Sequence, residues 1–308
     1  IHGPGCPVCV TPLNLIDKAV YLAFEKEVIL CSFGDMLRVP GSQKSLLEVK
    51  AEGADVRILY SPLEAVKIAE DNPDREVVFF AVGFETTAPA NALSVVHAHR
   101  RGVKNYSILA SHVLVPPAIK AVIDDEESKI DGFLAAGHVC TIMGNAEYHL
   151  ISAKYKVPIV VTGFEPLDVL QGILMVIRQL EQSKSSVENQ YARIVREDGN
   201  LEAQKVINEV FEVRNQMWRG IGEIPESGYA VREKYAEFDA AKKYNVTIDE
   251  APENPDCISG QIMKGIKKPF ECSQFGKKCK PTNPLGAPMV SSEGACAAYY
   301  HFSGLVEA

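Results

Sequence analysis

EVVFFAVGFETT, residues 76–87, combines an apolar run with a Gly-Phe-Glu-Thr-Thr ending. The apolar part predicts a β-strand covered on both faces, because it lacks the polar alternation of a strand with one solvent face. A helical pattern follows over 88–101, with Thr86 or Thr87 predicted to cap it and Pro89 in its first turn. A buried strand that leads directly into a helix indicates an α/β unit.

The same alternation of apolar runs and helical patterns extends over the first 182 residues. The predicted strands are Val28–Gly34, Asp55–Tyr60, Glu76–Gly83, Tyr106–Ser111, Asp131–Gly137 and Pro158–Gly163. The predicted helices span 13–26, 43–52, 62–71, 88–101, 116–127, 146–155 and 166–182. Strands that alternate with helices in this way predict parallel sheets joined by right-handed crossovers.

An internal repeat divides this α/β region. Gly83-Phe84-Glu85 returns as Gly163-Phe164-Glu165, each time between an apolar strand and a helix. The repeat predicts two similar parallel-sheet units, over 1–88 and 89–182. Residues 183–308 form a third predicted region with a different composition.

The third region is predicted to be mainly helical and then irregular. Glu, Lys, Arg, Gln and Asn dominate 183–250, and apolar residues at helical spacing from Val206 to Met217 predict a helical connector. After Pro255 the chain becomes rich in Gly, Pro, Lys and Cys. Four of the eight cysteines lie in this last segment: Cys257, Cys272, Cys279 and Cys296.

Composition and charge exclude several classes of protein. The formal net charge of −8 without a long basic run argues against a nucleic-acid partner. The apolar stretches are far shorter than the ~20 residues of a membrane helix. Eight cysteines without a signal segment indicate thiol or metal chemistry in a reducing, cytoplasmic compartment. The first residue is Ile1 and not Met, so we expect a longer chain upstream.

The four C-terminal cysteines predict a metal centre. A segment with little hydrophobic periodicity needs a crosslink, and four thiolates on one ion or cluster would provide it. Structural zinc sites usually pair their ligands at C-x2-4-C, whereas the intervals here are 14, 6 and 16 residues. An iron–sulfur cluster tolerates such wide spacing and is favoured, with zinc as the alternative.

The remaining candidate site residues lie at the amino end and at strand ends. Cys6 and Cys9 form a C-x-x-C flanked by Gly and Pro, predicted to act as nucleophiles, metal ligands or a reversible disulfide. His138 follows a predicted strand, where ligands gather in open α/β sheets. Cys31 is predicted to be a buried small hydrophobe, and Cys140 receives no role.

Glu85, Thr86 and Thr87 also follow a predicted strand, at the start of the 88–101 helix. They are therefore candidate residues of the same cleft as His138, in addition to the capping role. The sequence contains no G-x-G-x-x-G, Walker A, G-x-S-x-G or H-E-x-x-H motif, which argues against nucleotide-binding, hydrolase and zincin functions.

Four stretches taken in order closely resemble the HypD family of [NiFe]-hydrogenase maturation factors. They are Gly3-Pro4-Gly5-Cys6-Pro7-Val8-Cys9, Gly83-Phe84-Glu85-Thr86-Thr87, Gly137-His138-Val139 with Gly144, and Ser292-Glu293-Gly294-Ala295-Cys296-Ala297-Ala298-Tyr299-Tyr300. The resemblance covers essentially the whole chain. It implies two similar α/β units and a C-terminal domain that holds a [4Fe–4S] cluster on Cys257, Cys272, Cys279 and Cys296.

The resemblance also implies a scaffold rather than a free-turnover enzyme. On it the Fe(CN)2CO group is transiently assembled together with a HypC-like chaperone, with cyanide from a HypE-like donor, and then passed to the hydrogenase large-subunit precursor. Cys6 and Cys9 match the family's redox-active pair, which exchanges electrons with the cluster much as in ferredoxin–thioredoxin reductase. A free-standing, cluster-dependent disulfide reductase and a zinc-stabilised binding protein are the alternatives.

The sequence departs from the family in two places. Family members carry a C-G-G-H-T segment whose Cys is implied to hold the assembling iron, and this sequence begins after that segment. At Cys140 the family more often has Ser.

Overall fold

The computed structural model describes residues 5–25, 28–248 and 252–302. Within these ranges the protein has two parallel sheets and one antiparallel hairpin, so the predicted α/β class is confirmed. All six predicted strands and all seven predicted helices are present.

The first unit contains a four-stranded parallel sheet in the order β2-β1-β3-β4. Its elements are α1 (Pro7–Val10), α2 (Leu13–Glu25), β1 (Ile29–Ser32), α3 (Leu46–Ala51), β2 (Val56–Ile58), α4 (Pro62–Asp71), β3 (Val77–Gly83), α5 (Ala88–Arg101) and β4 (Tyr106–His112). Every residue of β3 and β4 is buried, and the two strands pair from Val77 opposite Tyr106 to Gly83 opposite His112. Helices cover both faces of the sheet, which explains the continuous apolar runs.

The second unit contains a three-stranded parallel sheet in the order β5-β6-β7. Its elements are α6 (Val115–Ile123), β5 (Phe133–Ala136), α7 (Gly137–Met143), α8 (Ala146–Tyr155), β6 (Ile159–Thr162), α9 (Pro166–Glu181) and β7 (Val187–Asn189). The β7 strand was not predicted, because its three residues, Val-Glu-Asn, contain no apolar run.

The predicted boundaries at 88 and 182 do not coincide with the division between the sheets. β4 lies beyond residue 88 but forms part of the first sheet, since it pairs with β3 over seven residues. β7 lies beyond residue 182 but pairs with β6. The repeated motif marks equivalent strand ends in the two units, and hydrogen bonding between strands sets where each unit stops.

The predicted helical connector is wrong beyond residue 210. A helix, α10 (Leu201–Val210), is followed by an antiparallel hairpin of β8 (Phe211–Trp218) and β9 (Gly222–Val231). The hairpin turn contains Gly220 at φ +75° and Gly222 at φ +110°, a backbone that a continuing helix excludes and that glycine adopts readily. The remaining helices are α11 (Ala240–Lys243), α12 (Ser259–Met263) and α13 (Ala295–Phe302), with 3-10 turns at Gly34–Arg38, Glu233–Phe238, Pro269–Glu271 and Ala287–Met289.

The hairpin joins the first unit to the start of the second. Leu114 N–H, just before α6, donates to Ser227 O at 2.9 Å, and Arg219 N–H donates to Val10 O at 2.8 Å. Arg219 is itself buried, and its guanidinium reaches Pro40 O at 3.1 Å and Glu253 at 3.2 Å. These bonds fix α1, which carries the C-x-x-C, against the hairpin turn.

An apolar stripe on α9 is exposed. Its helical spacing is as expected, but the side chains of the stripe face solvent, with exposed fractions of 65% at Leu167, 64% at Leu170 and 46% at Leu174. The stripe continues to Ile177 and Leu180. Among the residues that the structure describes, no helix combines the length and apolar character needed to cross a bilayer.

Removing a ring from the first core tests the two-faced burial of β3. Phe80 is fully buried among residues of α2 and β1, so Phe80→Ala is expected to lower the free energy of unfolding by about 3–5 kcal/mol. Urea denaturation monitored by circular dichroism measures this loss. Tyr60→Ala is the control, since Tyr60 is 90% exposed and its removal should change the free energy by less than about 0.5 kcal/mol. Equal losses of unfolding free energy in the two variants would contradict the burial of β3 on both faces of the sheet.

Candidate functional site

A cleft of about 720 Å³ brings the predicted site segments together. It lies at the carboxyl ends of β3 and β5, between the two parallel sheets. Its walls come from the C-x-x-C segment, the segments after β1, β3 and β6, α6, β5, the start of α7, the end of β8 and the C-terminal segment. Residues from these parts include Pro7, Val8, Thr86, Thr87, Ala118, Ile119, His138, Phe164, Trp218, Glu293 and Tyr299.

The C-x-x-C lies at one wall of this cleft with both thiols buried. The exposed fractions are 2% at Cys6 and 3% at Cys9. Cys9 N–H donates to Cys6 O at 3.1 Å, and the Cys9 thiol donates to Ala287 O at 3.8 Å. The hydrogen bond from Cys9 lowers the pKa of Cys6, while that same bond and burial raise the pKa of Cys9. Cys6 is therefore the more acidic thiol of the pair.

Thr86 and Thr87 line the cleft, but the expectation that one of them caps the helix is wrong. Thr87 occupies the position before α5, yet its side chain makes no capping bond to the helix. Its hydroxyl donates instead to Phe84 O at 3.2 Å. Pro89 does lie in the first turn of α5.

Glu85 is buried and is not among the residues that line the cleft. Its side chain is buried, and its Oε1 accepts a hydrogen bond of 2.9 Å from the backbone N–H of Val115 at the start of α6. Its Oε2 has no hydrogen-bond partner among the described residues. Burial raises the pKa of this carboxyl to about 7. Glu85 thus connects the end of β3 to α6, whose side chains form a cleft wall.

His138 is the second residue of α7, lies at the cleft and is exposed. Its ring stacks on Phe164, with 4.3 Å between ring centroids and 28° between planes. Phe164 and Phe84 are the equivalent residues of the two repeated motifs, and both line the cleft. The glutamates of the two motifs differ in burial, because Glu165 is exposed whereas Glu85 is buried.

The four C-terminal cysteines line a second, smaller cavity, together with Gly286 and Met289. Leu285 N–H donates to the Cys279 sulfur at 3.4 Å. Burial, and then the neighbouring thiols of the same cavity, raise the pKa of Cys296 to about 12. Within the described ranges, no three His, Cys, Asp or Glu side chains converge closely enough to hold one metal ion.

Gly286 leaves space beside one of these thiols. A Cβ at this position would lie 2.4 Å from the Cys257 sulfur, so only glycine fits without displacing the thiol. The next residue, Ala287, receives the hydrogen bond from Cys9. The Gly286–Met289 segment therefore contacts both the C-x-x-C and the four-cysteine cavity.

Cys31 and Cys140 are both fully buried in apolar cores, as predicted for Cys31. Burial raises the pKa of each thiol to about 12. Neither lines the cleft or the four-cysteine cavity.

Sequence reasoning missed three residues near the thiol pair. Trp218 lines the cleft and donates its indole N–H to Ser227 at 2.8 Å. It is the single Trp of the chain, and this was the one feature of the sequence that could have drawn attention to it. The Ser291 hydroxyl donates to Asp35 at 3.2 Å, and Ser291, after Cys9, helps to lower the pKa of Cys6. Ser291 stands immediately before the recognised C-terminal motif, so extending that motif by one residue would have found it.

A comparison with protein families matches nearly the whole chain. The family model described as HypD, Hydrogenase formation hypA family, matches residues 1–303. The chain belongs to the HypD family. The match includes the cleft, the C-x-x-C and the four cysteines of the second cavity.

Curated members of the HypD family are similar over nearly the whole chain. The hydrogenase maturation factor HypD of Azotobacter vinelandii is 49% identical over 309 residues, covering 98% of this chain and 82% of that protein. The protein of that name from Rhodobacter capsulatus is 49% identical, covering 99% and 82%. That of Escherichia coli (strain K12) is 46% identical, covering 98% and 81%.

Replacing Glu85 tests its burial through the pH dependence of stability. Between about pH 4.5 and 7 the folded chain holds a proton on Glu85 that the unfolded chain releases. Stability is therefore lost as pH rises through this window, by about 3 kcal/mol for the full shift. Glu85→Gln removes the titration but keeps an acceptor for Val115 N–H. As pH rises from about 4.5 to 7, wild type should therefore lose about 3 kcal/mol of unfolding free energy relative to Glu85→Gln.

Urea denaturation at a series of pH values measures the difference. Glu165→Gln, the exposed equivalent in the second motif, is the matched control and should follow the wild-type curve. Parallel curves for wild type and Glu85→Gln would contradict the raised pKa.

Proposed function

We propose that this HypD-family protein assembles and carries the Fe(CN)2CO group of [NiFe] hydrogenases, together with a HypC-like chaperone. Membership of the family and the names of its relatives support a role in hydrogenase maturation. One observation carries the finer proposal: the buried Cys6–Cys9 pair and the four-cysteine cavity both contact the Gly286–Met289 segment, and the pair lies beside the cleft.

The residues of the second cavity fit a [4Fe–4S] cluster. Four thiols surround one space, Gly286 leaves room beside Cys257, and the N–H of Leu285 bonds the Cys279 sulfur. Thiolates that surround a cavity suit a cluster several atoms wide, whereas four ligands of zinc meet about 2.3 Å from one point. Cys257, Cys272, Cys279 and Cys296 would hold the cluster, which supplies single electrons when bound.

Cys6 and Cys9 suit a reversible dithiol–disulfide pair. Such a pair stores two electrons, and its chemistry begins at the thiolate. Cys6 is the more acidic thiol, while Cys9 keeps its proton in a hydrogen bond to Ala287 O. Both thiols are too deeply buried for the disulfide of a large protein substrate to reach them, which argues against a free-standing disulfide reductase.

The cleft suits an iron group that carries small diatomic ligands as cargo. Thr86 and His138 contribute a hydroxyl and an imidazole group that can donate hydrogen bonds to cyanide nitrogen, whereas the Thr87 hydroxyl already donates to Phe84 O. Most of the other wall residues are apolar, including Phe84, Phe164 and those of α6. An apolar wall with a few donors holds small polar ligands and excludes water.

The exposed stripe of α9 suits the HypC-like chaperone. The stripe begins at Leu167, three residues after Phe164, which lines the cleft. A protein seated on this face would therefore reach the cleft mouth. An apolar stripe of this size marks a protein contact more often than a solvated surface. The HypE-like cyanide donor and the hydrogenase large-subunit precursor would then act on the same cleft in turn.

Metal analysis tests the proposed cluster. Purified without oxygen, the chain is expected to contain about four iron and four acid-labile sulfide per molecule. Cys279→Ser removes one thiolate ligand and should abolish most of both. Inductively coupled plasma mass spectrometry and a sulfide assay measure the contents. Cys140→Ser is the matched control, because Cys140 is buried outside the second cavity. Stoichiometric zinc without sulfide would contradict the proposal.

Infrared spectroscopy of the chaperone complex tests the proposed scaffold function. When the chain is produced together with HypC-like and HypE-like proteins, the purified complex should show stretching bands of iron-bound CO and CN. Leu170→Asp places a charge on the α9 stripe, so we expect at least a tenfold weaker complex and loss of the bands.

Leu201→Asp is the matched control, since Leu201 is equally exposed at 64% but lies outside α9. A complex of wild-type strength with Leu170→Asp would contradict the docking face. Turnover of a protein disulfide without any partner, together with absent CO and CN bands, would favour the reductase instead.

A further inference from the structure

The His138 imidazole is oriented by two aromatic rings and not by hydrogen bonds. It stacks on Phe164 at 4.3 Å between centroids, and the Tyr191 ring lies beside it at 6.3 Å with 56° between the planes. Within the part of the chain that the structure describes, no hydrogen bond or ion pair reaches the His138 ring. Phe164 is itself 59% exposed, so the stacked pair needs support from a ring that is held more firmly.

Tyr191 supplies this support, because its ring is fixed between two strand ends. A Cβ on Gly137 would lie 2.6 Å from Tyr191 Cδ1, and a Cβ on Gly163 would lie 2.8 Å from Tyr191 Cδ2. The two edges of the ring therefore pack on the backbone that directly follows β5 and β6. Gly137 precedes His138 and Gly163 precedes Phe164, so Tyr191 lies against the backbone that carries the stacked pair.

Arg193 and Asp168 hold the ring of Tyr191 in turn. The Arg193 guanidinium lies over this ring, 4.4 Å from its centroid. Its Nη1 donates to Asp168 Oδ1 at 2.8 Å and its Nη2 donates to Oδ2, a bidentate pair that fixes the plane of the guanidinium. Gln190 Nε2 donates to the same Oδ1 at 2.8 Å, and Gln190 Oε1 accepts the N–H of Gly163 at 3.3 Å. The Asp168 side chain is 7% exposed and belongs to the first turn of α9.

We propose that Tyr191, Arg193 and Asp168 are positioning residues of the cleft, which hold the His138 imidazole against Phe164 in the orientation that donates a hydrogen bond to the cargo. The inference rests on the proposed function, because it takes His138 as a donor to cyanide nitrogen. Tyr191 acts on His138 directly, Arg193 acts through Tyr191, and Asp168 acts through Arg193. None of the three is among the described residues that line the cleft.

The geometry of a hydrogen bond explains why the imidazole needs a fixed orientation. A hydrogen bond prefers a donor angle above about 150° and weakens steeply below about 120°, so a ring that rotates loses its bond to a fixed acceptor. A donor that is already oriented pays no reorganisation when the cargo arrives. Stability alone does not account for the Arg193–Asp168 pair, since the Arg193 side chain is 52% exposed and ion pairs at such exposure contribute little to folding.

Histidine NMR of the full chain, purified without oxygen, tests the positioning. With isotopically labelled histidine, His138→Gln identifies the His138 signal among the seven histidines, and Phe164→Ala gives its position without stacking. Spectra at about pH 9 report ring position and not charge, because an imidazole is ordinarily neutral there. Tyr191→Leu, Arg193→Gln and Asp168→Asn should each move the signal about half of the way to the unstacked position or more.

Conservative and matched variants separate positioning from general damage. Tyr191→Phe keeps the ring and should leave the His138 signal at its wild-type position. Arg193→Lys keeps the charge but not the planar guanidinium, so it should give an intermediate shift. Tyr155→Leu and Arg196→Gln should behave as wild type. Tyr155 is another half-buried tyrosine with a cation over its ring, and Arg196 is an exposed arginine three residues beyond Arg193.

An unmoved His138 signal in folded Tyr191→Leu or Arg193→Gln would overturn the positioning, with circular dichroism as the check of folding. Because the Arg193 side chain is half exposed, Arg193→Gln is expected to fold even if Tyr191→Leu does not.

Infrared spectra of the chaperone complex show whether the orientation acts on the cargo. In Arg193→Gln the CN stretching bands should shift, because a cyanide nitrogen loses a hydrogen bond. Wild-type bands in a variant whose His138 signal has moved would overturn the donor role of the positioned ring. If the wild-type complex shows no CO or CN bands while the NMR signals move as expected, the proposed function fails and the positioning of His138 stands.

Discussion

The parallel pairing of β3 with β4 determines where every part of the cleft lies. The two strands remain in register for seven residues, so Gly83 and His112 end level with each other at one edge of the sheet. The segments that leave this edge are therefore adjacent, and Glu85 from the first accepts the N–H of Val115 in the second. This bond holds α6 as a wall of the cleft. The hairpin then fixes α1 and the C-x-x-C through Arg219 N–H.

The contacts of the C-terminal segment explain why two thiol sites share one region. Ala287 accepts the Cys9 thiol proton in a hydrogen bond, Gly286 leaves space for the Cys257 sulfur, and Met289 lines the four-cysteine cavity. Four consecutive residues, from 286 to 289, thus contact both the pair and the four-cysteine cavity. A change in this segment affects both sites together, and substitutions in it cannot be assigned to one site alone.

Local patterns predicted most of the α/β region but not how its parts meet. Buried runs such as 76–83 indicated strands because both faces of each sheet are covered, and the repeated motif indicated two strand ends at a common site. The hairpin was missed because Val206 and Val210 share true helical spacing, and the exception begins only at Phe211. The inward turn of Glu85 and the Ser291 contact depend on residues distant in the chain, which local sequence does not encode. The exposed α9 stripe shows the same limit, since helical spacing does not tell whether the apolar face meets a core or solvent.

The burial of Cys6 and Cys9 has a consequence for damage by oxidants. Thiolates in contact with bulk solvent are carried by peroxide to sulfinic and sulfonic acids, which cells largely cannot reverse. The pair lies 2–3% exposed, so peroxide has little access to either sulfur. A sulfenic acid that does form on Cys6 has Cys9 one helical turn away to condense with it as a disulfide, which a dithiol can reverse. The same packing that restricts reaction partners thus keeps the pair on the reversible part of the cysteine oxidation series.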